Sequence, residues 1–255
     1  MNESEAREFM CEIGRRGYQR QFAAANDGNI SYRLSENEVL ATPTMVSKGA
    51  MRPHEIVKLD LEGKQVGGYM TPTSETLLHL GIYRNRPDVR AVVHFHPPHA
   101  TAFAVTGVPL DKCVLPEVEI FLGEVPIAAY ATPGTEDLFE SIRPYVADHS
   151  VFLQGNHGVV AIGKNLEEAY WRMEIVEAYC RMLILARQLG NVNKITLENM
   201  EGLFDIKRRL GIPDPRMGNA GRDPCAVTPP PSAQSGDEDL IRRVVGEVLK
   251  RFDQR

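Results

Sequence analysis

The sequence predicts a single three-layer α/β domain whose central sheet, largely antiparallel or mixed, is flanked by helices. Three observations predict it. Short strand-like runs alternate with segments of helical periodicity, the pattern of an α/β chain. Tight turn signals such as Asn26-Asp27-Gly28-Asn29 and Glu62-Gly63 border neighbouring strands and favour hairpin, hence antiparallel, connections. The 255 residues show no internal repeat, and an apolar share of 43% supports one core of useful size.

Taken in order, residues 3–20 read as a helix with Phe9, Ile13 and Tyr18 roughly on one face and charges on the other. Strand candidates follow at 30–34, 38–42, 56–60 and 65–69. Residues 73–84 read as a helix with Thr73 or Ser74 as N-cap and an apolar stripe of Leu77, Leu78 and Ile82. Residues 91–95 form a buried-strand pattern stopped by Pro97-Pro98, and a helix is expected after Pro98. Strands are expected near Val114 and Val125, a helix over 135–146, a strand at 151–153 and a long helix over 165–189 ending at Gly190.

After Gly218 the composition shifts to Gly, Pro, Ser and Ala, including Pro229-Pro230-Pro231, without apolar periodicity. The expected organisation is a catalytic domain over 1–217, a linker over 218–236 and an amphipathic helical tail over 237–255. In the tail, Leu240, Ile241, Val244, Val245, Val248 and Leu249 fall on one helical stripe, with acidic residues before and basic residues after it.

The formal net charge of −5 excludes the basic stripe of a nucleic-acid surface, so an anionic substrate needs local binding devices. No leader and no bilayer-length apolar run is visible, which predicts a soluble cytoplasmic protein without a membrane partner. Cys11, Cys113, Cys180 and Cys225 lack paired spacing and read as buried apolar groups or idle thiols, not as disulfides or ligands.

His94 and His96 stand two apart on an apolar strand, so both imidazoles face one point. His157 follows a strand and sits among glycines that let the backbone turn sharply and aim the ring into a cleft. Glu75 lies at the start of a helix, where a carboxylate also serves the helix dipole. Taken singly, the last two are ordinary loop and helix residues. Together the three imidazoles and one carboxylate form a ligand set suited to catalytic zinc, one ion per subunit. His79 is a rival ligand expected to be packed or hydrogen-bonded instead, and His99 lies beyond the Pro-Pro break, outside the set.

The ordered motifs Gly28-Asn29-Ile30-Ser31, Thr42-Pro43-Thr44, Thr73-Ser74-Glu75, His94-Phe95-His96-Pro97, Tyr130-Ala131-Thr132-Pro133-Gly134 and His157-Gly158 resemble the class II aldolase and epimerase (adducin-like) family. The likeness spans about residues 5–215 and is nearest the fuculose-phosphate aldolase type. It implies a class II aldolase-like fold, a homotetramer with active sites between subunits, and a sugar-phosphate substrate. Glutamate before the histidine pair goes with aldolases, whereas the sister epimerases carry aspartate. The likeness further implies a phosphate cradle of Gly28, Asn29, Thr44, Thr73 and Ser74, which agrees with the anion affinity of a helix N-terminus. Met45 replaces a frequent glycine, and Lys48 reads either as a charge toward the phosphate or as a solvated surface lysine.

Tyr130 matches a tyrosine that reaches a neighbour's site as proton donor; its other reading is a strand tyrosine with its hydroxyl at the rim. Leu210 stands where the fuculose-phosphate enzymes use a second tyrosine. The implied reaction is zinc-dependent retro-aldol cleavage of a ketose 1-phosphate to dihydroxyacetone phosphate and an aldehyde such as lactaldehyde. A 4-epimerase, a dehydratase and a non-catalytic adducin-like binding module are the alternatives. The tail resembles the encapsulation peptides that target enzymes into bacterial microcompartments, with residues 237–252 meeting a shell protein. Its alternative is a helix docked on its own domain or another subunit.

Overall fold

The computed structural model describes residues 1–217 and 223–226. Helix α1 (Glu3–Gln19) starts at Asn2, whose side chain accepts from Glu5 N while Glu5 reaches back to Asn2 N. Then come β1 (Asn29–Arg33), β2 (Glu38–Ala41), β3 (Val57–Asp60) and β4 (Gln65–Gly67), followed by α2 (Thr76–Asn85), β5 (Ala91–Phe95), α3 (Pro98–Thr106) and α4 (Pro116–Phe121). The remainder is β6 (Ile127–Ala128), α5 (Glu136–Val146), β7 (Val151–Gln154), β8 (Gly158–Gly163), α6 (Leu166–Leu189) and α7 (Leu197–Leu210).

The strands form one sheet in the order β4-β3-β2-β1-β5-β8-β7-β6. Every pairing is antiparallel except that of β6 with β7. Strand alternation splits the core in two. Ala91, Val93 and Phe95 of β5 face α1, α3 and α6, while Val92 faces α2 and α5. His94 shares the parity of Val92 and so lies on the α2 side. The three-layer, largely antiparallel α/β architecture is the one the sequence predicts.

Four local expectations need correction. The strand expected near Val114 is absent; Pro116, with its fixed φ, opens α4 instead. The strand near Val125 shrinks to β6, two residues further on. Neither Thr73 nor Ser74 caps α2: Glu75 itself holds the N-cap position with φ −92° and ψ 19°, and Thr73 Oγ1 accepts from Glu75 N at 3.4 Å. The cysteines are not all free. Cys113 and Cys225 form a disulfide with Cα atoms 5.5 Å apart, although 112 residues separate them in sequence. Sequence spacing carries no trace of that pairing, because it is made by a loop before α4 and a stretch after α7 that meet at Met200 and Phe204. Cys11 and Cys180 are free and buried, as expected. The bridge fastens residues 223–226, within the expected linker, to the body; the rest of that linker and the tail 237–255 lie outside the described residues.

Besides α4, two further elements were not expected. β8 is a continuous buried apolar run, and α7 carries a Thr196 cap and a left-handed Gly211 stop. Among the described residues no helix is long and apolar enough to cross a membrane.

Candidate active site

Strand β5 delivers His94, fully buried, and His96 just past its end. The tight turn between β7 and β8 delivers His157; Asn156 turns it with φ 55°. Gly158 is required by proximity, since a Cβ there would lie 2.4 Å from His96 Cδ2 and 2.7 Å from Phe95 O. The three rings gather with centroids 4.6 to 5.1 Å apart, and His94 Nε2 lies 3.1 Å from His96 Nε2. His94 Nδ1 donates to Val159 O at 3.0 Å, which fixes the tautomer and turns the Nε2 lone pair into the cluster.

Glu75 closes the group from the start of α2. One carboxylate oxygen lies 3.6 Å from His94 Nε2 and the other 3.6 Å from His157 Nε2. Burial raises its carboxyl to about 7, against a smaller downward pull from a side-chain hydrogen bond with Asn29. Burial, then the neighbouring His96, His157 and His79, hold His94 well below the usual imidazole range. Burial and then His96 bring His157 down to about 4.

This donor set fits a divalent metal. His94, His96 and His157 each offer a ligand atom within 4.8 Å of the others. Glu75 Oε2 is buried with no hydrogen-bond partner in the described chain, a costly arrangement that a cation relieves. At the roughly 2.0–2.1 Å bonds usual for zinc, the corners of a tetrahedron lie about 3.3 Å apart. The His94–His96 edge here is 3.1 Å, and the two Glu75 oxygens each lie 3.6 Å from a different imidazole, one from His94 and the other from His157.

The residues of the expected anion cradle lie on two neighbouring loops and the head of β1. Gly28 has φ 75°, and a Cβ there would strike Phe95 Cδ1 at 2.4 Å. Asn29 pairs with His94 across the sheet. Thr44 N donates to Thr71 O and Thr73 N to Thr42 O, both at 3.0 Å, around a Pro43–Pro72 bridge that binds the two loops together. Thr73 is buried, Thr44 half-buried and Ser74 exposed at that loop pair.

Other expectations sort cleanly. His79 is buried and hydrogen-bonded to Asn29 and Ser31, and His99 pairs with Glu177 at 2.6 Å, so both stand outside the ligand set as expected. Tyr130 follows β6 with its side chain exposed and its backbone against the Gly155 turn. Leu210 is exposed at the end of α7. Lys48 is not solvated: it is buried and donates to Asn26 O and Val46 O, with burial pushing its amine down to about 8. Met45 keeps the left-handed φ of 57° suited to the glycine it replaces. Sequence reasoning missed Asp27, whose carboxylate lies 3.5 Å from His96 Nδ1, the place of an outer partner to a metal-binding imidazole. It also missed Ser31 and Tyr83, which extend the His79 contacts inward.

A family model described as the class II aldolase and adducin N-terminal domain matches residues 8–184. The chain is 33% identical over 187 residues to the 3-oxo-tetronate 4-phosphate decarboxylase of Escherichia coli K12, covering 72% of this chain and 88% of that protein. It is 36% identical over 165 residues to the L-fuculose phosphate aldolase of Methanococcus vannielii, covering 65% and 88%. Among solved structures, YgbL of Escherichia coli superposes with a TM-score of 0.73 at 31% identity, over 79% of this chain and 98% of that one. An L-fuculose 1-phosphate aldolase superposes with a TM-score of 0.75 at 26% identity, over 82% and 97%.

Proposed function

The chain belongs to the class II aldolase and adducin family, and from that premise we propose that it cleaves a carbon–carbon bond beside the carbonyl of a phosphorylated sugar. The reading is zinc-dependent retro-aldol cleavage of a ketose 1-phosphate of the L-fuculose 1-phosphate type, giving dihydroxyacetone phosphate and an aldehyde such as lactaldehyde. The observation that carries it is the convergence of three imidazoles on Glu75, a buried carboxylate with one oxygen 3.6 Å from His94 and the other 3.6 Å from His157. His94, His96, His157 and Glu75 would hold zinc, which would supply Lewis-acid stabilisation of negative charge on substrate oxygens. Gly28, Asn29, Thr44, Thr73 and Ser74 hold the phosphate by hydroxyl, amide and backbone donors. Glu75 returns a proton to the carbon that keeps the electron pair when the bond breaks. Tyr130 of a neighbouring subunit handles the proton on the departing aldehyde oxygen, which requires an oligomer with shared sites; the family likeness points to a homotetramer.

The relatives named as decarboxylases support a second reading, in which a 3-oxo sugar-acid phosphate loses carbon dioxide and leaves an electron pair at the same place. No aldehyde oxygen then needs a proton, so Tyr130 is dispensable. One experiment separates them: the purified enzyme is offered L-fuculose 1-phosphate, L-rhamnulose 1-phosphate, L-ribulose 1-phosphate and 3-oxo-tetronate 4-phosphate. Dihydroxyacetone phosphate from a ketose phosphate establishes the aldolase. Carbon dioxide from the last alone establishes the decarboxylase.

We place the enzyme in the cytoplasm, a compartment whose thiols open disulfides such as Cys113–Cys225. Residues 237–252 target it to a microcompartment shell, where a reactive aldehyde is retained. A reporter fused to residues 218–255 then co-purifies with co-expressed shell proteins; a diffuse reporter rejects the targeting.

A further inference from the structure

Glu75, His79 and Tyr83 follow one another at intervals of four along α2 and share one helix face. Asn29 and Ser31, two apart on β1, share the face of the sheet that this helix covers. Where the two faces meet, an otherwise apolar layer holds a polar seam. Asn29, Ser31, His79 and Tyr83 are all buried, with at most 4% of any one exposed. Polar groups so enclosed need a complete set of partners, and the contacts are short. His79 Nε2 lies 2.5 Å from Asn29 Oδ1, His79 Nδ1 lies 2.6 Å from Ser31 Oγ, and Ser31 Oγ lies 2.7 Å from Tyr83 OH.

Chemistry assigns each proton in that chain. Burial keeps His79 neutral, and a neutral imidazole has one donor and one acceptor nitrogen. Asn29 Oδ1 only accepts, so His79 Nε2 carries the hydrogen. His79 Nδ1 must then accept from the Ser31 hydroxyl, and Ser31 Oγ accepts from the Tyr83 hydroxyl. Rotating the Asn29 amide by half a turn would reverse every bond, leave the Tyr83 proton without an acceptor in the seam, and set the amide oxygen against the Glu75 carboxylate.

We propose that His79 is a positioning residue that locks the Asn29 amide, through a bond from Nε2 to Oδ1, with its NH2 group facing Glu75 and the anion loop. The proposal rests on the functional reading above for its kinetic consequence, though not for its structural content. Asn29 stands opposite His94 in the sheet, so its amide donors face the place where the carboxylate and the substrate meet. An amide free to rotate would spend part of its time presenting an oxygen to two acceptors. His79 removes that state before substrate arrives, which is preorganisation by a residue that touches neither metal nor substrate.

The test uses the zinc-loaded full chain with 15N-labelled histidine. The His79 ring, identified by the resonances lost in His79→Gln, should show a protonated Nε2 and a bare Nδ1. With L-fuculose 1-phosphate as substrate, His79→Leu should lower kcat by about tenfold or more at unchanged zinc content. His79→Gln, whose amide can still donate to Asn29 Oδ1, should recover most of that loss. A ring protonated on Nδ1, or equal losses in the two variants at equal zinc content, overturns the proposal. Should His79→Leu fail to fold, the tautomer and the His79→Gln kinetics decide it. If the wild-type enzyme cleaves no sugar phosphate, the functional reading fails, while the ring tautomer still decides whether His79 holds the amide.

Discussion

Gly158 and His96 stand so close that no side chain fits between them: a Cβ on Gly158 would come within 2.4 Å of His96 Cδ2 and 3.1 Å of His94 Cε1. The backbone at Gly158 passes directly beneath two of the three imidazoles. Gly158→Ala should therefore displace the rings without removing a ligand. Metal analysis of that variant should show weakened zinc binding in a folded protein, and His94→Ala and His157→Ala should lose more than about 100-fold in affinity. Chelation of the wild type should abolish turnover, and added zinc should restore it.

Subunit sharing is tested by mixing. If the exposed Tyr130 serves a neighbour's site, Glu75→Gln and Tyr130→Phe chains are each nearly inactive alone. Hybrids formed by subunit exchange should regain activity, because some sites then combine an intact Glu75 with an intact Tyr130. Sedimentation showing a fully active monomer rules the arrangement out.

The disulfide is directly countable. In denaturant without reductant, two of the four cysteines should react with a thiol reagent, and all four after reduction. The bridge closes a loop spanning 112 residues, so on loop entropy its reduction should cost about 5 kcal/mol of stability, seen as a lower Tm. A Cys225→Ser variant should melt like the reduced protein and ignore reductant.

Lys48 predicts a pH dependence at alkaline pH. Burial lowers its amine from 10.5 to about 8, so between these values the unfolded chain binds a proton that the folded chain does not. The penalty for enclosing the charge is present in full below pH 8 and fades as pH rises toward 10.5. Relative to the wild type, Lys48→Met should lose that upward trend in denaturant midpoint across this window. Parallel curves for the two proteins would show that Lys48 titrates as it does in the unfolded chain.

The part of the site legible in the sequence is the part that local geometry dictates. Alternation along one apolar strand is enough to aim His94 and His96 together. That His157 joins them depends on β8 pairing back onto β5, a non-local contact invisible to periodicity because β8 is apolar on both faces. Asp27 sits in an obvious turn motif, yet its place behind His96 follows from how β1 meets β5, not from the motif. Lys48 misled for the opposite reason: a lysine in a Ser-Lys-Gly loop reads as solvated, and only tertiary packing supplies the two carbonyls that enclose it. The cysteine pair was illegible on the same grounds, being made by distant loops.

The pairing of Asn29 with His94 has a dimensional consequence. Residues opposite each other on adjacent strands are about 5 Å apart and cannot slide without breaking the ladder between them. The span from the Gly28–Asn29 turn to the imidazole cluster is therefore a constant of the sheet, indifferent to loop motion. Any molecule that reaches both ends is gauged by that span, so the distance from its anionic group to its carbonyl is tested first. On the proposed reaction, sugars that differ only beyond the cleaved bond would pass this gauge equally, and their discrimination would fall to side chains outside the ladder.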